Sequence, residues 1–153
     1  MKITIQQAID LFNAITNMKS GGVYVKGLKN IDLAMNKSIV QPIVDGYNNA
    51  MEIPLKYQEY VKELEELRFK SSNKTGNLND PQKTYEEFNL LKEKYHEAIV
   101  EYEDWKILTK NLKNEEKEVN LIMIDKSDLC FSDDDVCSSA PEIIFGLLPC
   151  IKQ

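Results

Sequence analysis

The residues whose types could do chemistry are Cys130, Cys137 and Cys150, the run Asp133-Asp134-Asp135, and the pair Glu93 and His96. Each set falls short, in its spacing or in its number of ligands. A calcium loop needs oxygen ligands at its first, third and fifth positions, a glycine at the bend and a closing glutamate. Counted from Asp125, the third position is Ser127 but the fifth is Leu129; counted from Asp133, the fifth is Cys137. Neither register places a glycine at the bend. The three cysteines lack the close paired spacing of a structural zinc site, and no histidine lies near them in sequence. Glu93-Lys94-Tyr95-His96 has the Glu-x-x-His spacing of di-iron helical bundles, but that site takes two such motifs, and His96 is the only histidine. A Ser or Cys nucleophile would have to use the same His96, on a helix whose inward face is apolar. No glycine-rich phosphate loop or nucleophile elbow is present. The expectation is a non-enzymatic chain with no catalytic residues, no cofactor and no metal.

The aspartates have a structural use instead. Ser132 can cap a helix, with Asp135 three residues on and Phe131 stapling onto Val136. Carboxylates in a first turn also suit the positive end of the helix dipole. Ser139 and Glu142 repeat the pattern ahead of Ile143, Ile144 and Phe145. The thiols read as small buried hydrophobes in a reducing compartment, because three cysteines confined to one end make a poor disulfide framework.

The elements that would carry these residues are mostly helical. "KITI" (2–5) alternates as a short strand, and Ile5, Ala8, Ile9, Phe12 and Ile15 then follow a helical period. Ser20-Gly21-Gly22 breaks that helix, and "VYV" (23–25) reads as a second strand. A helical pattern resumes with Leu28, Ile31, Met35 and Ile39, which Pro42, Asp45-Gly46 and Pro54 should interrupt. Asp80-Pro81 is a good helix start. From there a seven-residue repeat runs through Phe88, Tyr95, Tyr102 and Thr109, and through Leu91, Ala98, Trp105 and Leu112. An unbroken helix of that span would be about 50 Å long. Tyr47, Ala50, Ile53, Tyr57, Tyr60, Val61, Leu64 and Leu67 offer the covering face, while Glu59, Glu63, Glu65 and Glu66 suit solvent. The polar segment 70–80 forms the turn.

The expected architecture is therefore one mainly α domain with a small β element, an α+β arrangement over 1–153. Segments 28–70 and 81–113 form an antiparallel helical hairpin. Residues 1–27 supply a strand and helix at its base, and 118–153 a strand ("EVNLIMID", 118–125) and a C-terminal helix. Tyr60 and Tyr85 lie nearer the edge of the stripe and are candidates for partner contact, as are Ile144, Phe145 and Leu148 in the apolar tail.

Charge narrows the partners. The net charge is -6. From Glu118 onward seven acids and two lysines leave -5, while the other 117 residues nearly balance. No basic face offers itself to phosphates, so direct nucleic-acid binding is not expected. No apolar run approaches the roughly 18–20 residues that span a bilayer, and the N-terminus lacks the apolar core of a secretion signal. A cytoplasmic, non-membrane protein is expected, binding other proteins or a second copy of itself. Asp133, Asp134 and Asp135 are the candidate contacts for a basic surface.

The layout resembles a loose group of small, uncharacterised tailed-phage proteins built on a charged helical hairpin. The resemblance rests on the "MKIT" start, the hairpin to Leu112, and "EVNLIMIDKSDL" followed by a short helix. The "SDDDVC" stretch and the cysteine-bearing end depart from that pattern. The resemblance implies a virion structural or assembly accessory acting in the host cytoplasm or within the virion, and it carries over no catalytic residues. A competing expectation is a small acidic inhibitor of a host defence or regulatory protein.

Overall fold

The computed structural model describes residues 1–72, 80–131 and 140–152. The chain is mainly α with a small β element, and it divides into two compact units, 1–50 with 111–153 and 51–110.

In the first unit, β1 (Lys2–Thr4) runs straight into α1 (Ile5–Asn17). The junction is a capping box: Thr4 Oγ1 accepts from the Gln7 amide at 3.1 Å, and Gln7 Oε1 accepts from the Thr4 amide at 2.9 Å. Gly22 adopts a positive φ of 68° after α1, which turns the chain into β2 (Val23–Val25). The helix α2 (Lys29–Ala50) then packs along α1.

Beyond residue 110, β3 (Glu116–Glu118) pairs antiparallel with β1, placing Ile3 opposite Lys117. A second two-stranded sheet joins β2 to β4 (Leu129–Phe131), with Tyr24 opposite Cys130. The last helix, α6 (Ala140–Leu147), lies on α1. Ile124 and Ile151 form a parallel bridge that pins the following segment. The core gathers Leu11, Leu33, Val40, Ile124, Ile143 and Leu147 from these elements. Small residues set how closely the helices approach. A Cβ added at Gly146 would stand 2.6 Å from the Asp10 carbonyl oxygen and 2.7 Å from Ala14 Cβ.

The second unit is an antiparallel hairpin. Its first arm is α3 (Leu55–Ser71); its second is α4 (Pro81–Lys94) followed by α5 (His96–Thr109). The direction follows from the contacts: Tyr57 stacks on Tyr102, Tyr60 packs on Tyr95, and Glu63 pairs with Lys94. Asp80 caps α4 by accepting from the Lys83 amide at 3.1 Å, with Pro81 in the first turn. The heptad holds throughout. Phe88, Leu91, Tyr95, Ala98, Tyr102, Trp105 and Thr109 are all buried or half-buried.

Six expectations need correction. The second arm is two helices, because Tyr95 leaves helical geometry at φ -107° and ψ 20°. Its hydroxyl donates to Glu63 Oε1 at 2.8 Å while its ring packs on Tyr60, a tertiary hold that no local pattern announces. For the same reason Glu63 belongs to the hairpin contact rather than to the solvated face.

Helix α2 packs in the first unit and is not part of the hairpin. It also continues through Pro42 and Asp45-Gly46 to Ala50. Pro42 and Ser38, whose carbonyl the proline deprives of a donor, are both exposed residues of the helix. Pro54 ends no helix either: it lies beyond Ala50 and starts α3, its carbonyl accepting from the amides of Tyr57 and Gln58 at 3.0 and 3.1 Å.

The inward face of α2 is Leu33, Asn36, Val40 and Val44, whereas Leu28, Ile31 and Met35 face outward. Finally, the strand expected over 118–125 is confined to 116–118, and the segment beyond it is held by other means.

Candidate functional site

Helix α6 and the turn after it carry two exposed apolar side chains beside clefts of the first unit. Ala140, Ile143, Gly146 and Leu147 turn inward, at the three- and four-residue steps that align one helix face. That placement turns Phe145 outward, at 67% exposure, and leaves Ile144 half-buried, while Leu148, in the 3-10 turn that follows (Leu148–Cys150), is 49% exposed. Phe145 stands between two clefts. One, of about 540 Å³, runs past Ile3, Gln7, Met123 and Leu148. The other, of about 680 Å³, runs past Asn13, Asn17 and Pro141. Asp10 borders both and accepts a hydrogen bond from Gln6 Nε2 at 2.7 Å. The surface thus offers an aromatic ring and a Leu side chain beside polar-edged clefts, which suits a protein side chain better than a small charged substrate.

The other expected contacts are scattered. Tyr85 is 67% exposed on α4. Tyr60, expected near the edge of the stripe, is only 7% exposed and sits between Tyr57 and Tyr95, so its ring belongs to the hairpin core. Asp133, Asp134 and Asp135 lie outside the described residues, as do the Ser132 and Ser139 caps and Cys137.

Among the described residues the chemistry-bearing side chains are not brought together. Cys150 is fully buried, its Sγ donating to the Leu147 carbonyl at 3.2 Å, and burial pushes its thiol up to about 11. Such a thiol is not a nucleophile near neutral pH. Cys130 is half-buried on β4, and both cysteines are free thiols. His96 is exposed at the start of α5. Among the described residues no three His, Cys, Asp or Glu side chains gather to hold a metal ion, and no helix is long and apolar enough to cross a membrane.

Two features escaped the reading of the sequence. Asn36 is a buried polar anchor whose place in the α2 pattern makes the inward face look broken. Glu63 is a hub: its carboxylate accepts from Lys94 Nζ at 2.7 and 2.8 Å and from the Tyr95 hydroxyl. The Lys94 bond first, then that from Tyr95, holds the Glu63 carboxyl below its ordinary range, and both partners are shifted up in return. No family model, curated protein or solved structure matches the chain.

Proposed function

We propose that the chain is a non-enzymatic protein–protein interaction module, a structural or assembly accessory of a tailed phage. The observation that carries the interaction role is the outward pair of Phe145 on α6, whose other face packs into the core, and Leu148 in the 3-10 turn that follows it. The phage assignment is supported by the resemblance in layout. Virion or morphogenetic proteins are the partners, met in the host cytoplasm or retained in the particle. Capture of the tagged chain from an infected lysate, followed by mass spectrometry, tests this. Head or tail proteins should co-purify with the wild type and be lost from the double variant Phe145→Asp, Leu148→Asp. A chain absent from both particles and assembly intermediates would rule the accessory role out.

A second reading is supported by the -5 carried from Glu118 to the end. An acidic inhibitor would seat that end on a basic surface of one host protein. Neutralising Asp133, Asp134 and Asp135 together should then abolish capture of that protein; unchanged capture removes the reading.

A further inference from the structure

The second unit carries both halves of a contact that one chain cannot close. Along α5 a groove of about 580 Å³ is lined by apolar Val100, Trp105 and Leu108 (the floor), by acidic Glu97, Glu101 and Asp104 (the rim), and by His96 and Pro54. One face of Trp105 is set by Tyr102, whose ring lies 5.4 Å away at 17°. Among the described residues no cation pairs with the three rim carboxylates; Lys106, nearby, is turned to Glu103 at 2.7 Å. A groove of this kind fits a large apolar side chain flanked by positive charge.

The same unit presents such a group. Phe69 near the end of α3 is 86% exposed, the most open large apolar side chain described, and it stands between Arg68 and Lys70. No described carboxylate pairs with either cation. Tyr57 stacks at the level of the groove, and Phe69 lies twelve residues farther along α3, about 18 Å at the helical rise. A chain's own Phe69 is therefore too far to fill its own groove.

We infer that the hairpin self-associates, with Phe69 of one copy seated on the Val100–Trp105–Leu108 floor of a second and Arg68 and Lys70 meeting the acidic rim. This contact is separate from the Phe145–Leu148 surface.

Sedimentation velocity on the purified full-length chain tests it. The wild type should run at no less than twice the 17.6 kDa chain mass and dissociate as salt screens the rim. Two variants exchange the charges. Glu97→Lys, Glu101→Lys, Asp104→Lys makes the rim basic, and Arg68→Glu, Lys70→Glu makes the knob acidic. Each alone should be monomeric with an unchanged helical circular dichroism spectrum. Mixed together they should reassociate, because each now offers what the other's groove or knob needs. Phe69→Ser should be monomeric with either rim. A monomeric wild type overturns the contact, as does association that survives either charge reversal or fails to return on mixing. Because no other protein is present, that failure leaves the capture result on Phe145 and Leu148 untouched.

Discussion

Asn36 holds the main chain of Ile122 with both ends of its carboxamide. Its Nδ2 donates to the Ile122 carbonyl at 2.8 Å, and its Oδ1 accepts from the Ile122 amide at 2.7 Å. One side chain thus does what a neighbouring strand would do, for a segment that has no strand beside it. Asn36 is fully buried, so nothing in solvent can replace either bond. Asn36→Ala should cost about 2–6 kcal/mol, since it leaves the Ile122 carbonyl and amide unpaired and each such group costs roughly 1–3 kcal/mol. The exposed Asn48→Ala on the same helix should stay within about 0.5 kcal/mol. Urea unfolding of the two variants measures the difference, and equal midpoints would deny the clamp its role.

That clamp also explains what could and could not be read from the sequence. The heptad on α4 and α5 was visible because one face meets one partner, so periodicity and burial coincide. The inward face of α2 was not, because Asn36 interrupts it with a polar residue whose partner is 86 positions away. The apolar period that remained, Leu28, Ile31 and Met35, belongs to the outward side. The same bonds account for the missing strand, since Ile122's donor and acceptor are already engaged. Phe145 and Leu148 were legible as candidates because inward residues at three- and four-residue spacing leave their neighbours outside. The groove on α5 was not, because its floor and rim alternate along the helix and gather only on its surface.

Gly146 should tolerate no side chain. Its missing Cβ lets α6 approach α1 to within contact of the Asp10 carbonyl, and backbone cannot swing aside as a flexible side chain would. Gly146→Ala should destabilise by about 1–3 kcal/mol, the usual cost of overpacking. This outweighs the roughly 1 kcal/mol that Ala gains over Gly in helix propensity. By contrast Gly46→Ala, where nothing lies within 4 Å, should stabilise. Thermal melts of the two variants should move in opposite directions.

Cys150 should make the fold alkali-sensitive. Its thiol rises from 9.0 to about 11, chiefly through burial, with a backbone hydrogen bond and then Asn36 offsetting part of the shift. The unfolded chain therefore loses this proton first as pH rises. The contribution is intact below about pH 9 and is lost between 9 and about 11, at about 1.4 kcal/mol per pH unit. The difference in stability between wild type and Cys150→Ala should shrink over that window. A constant difference across it would mean the buried thiol does not titrate as described.

The Glu63 hub should respond at the other end of the scale. Its carboxyl is held below the ordinary range, first by Lys94 and then by the Tyr95 hydroxyl. Its contribution is therefore present above the unfolded carboxylate value and fades as pH falls through the folded one. Tyr95→Phe should move the Glu63 midpoint upward, and Lys94→Met should move it further. Carbon-detected NMR titration of the carboxyl reads both; a midpoint unmoved by either variant would detach Glu63 from the break between α4 and α5.

The two faces of α6 should separate folding from binding. Leu147 is almost wholly buried against α1, whereas Phe145 next to it on the chain but one is largely in solvent. Leu147→Ala should cost about 2–5 kcal/mol, since it removes a core side chain and leaves a cavity that backbone contacts such as Gly146 on Asp10 keep from collapsing. Phe145→Ser removes a ring that already faces water, so its stability should change by no more than about 0.5 kcal/mol. If the ring is a docking group, that same substitution should weaken partner capture while the melt stays put. A large loss of stability in Phe145→Ser would instead place the ring in the fold, and the clefts beside it would no longer be open to a partner.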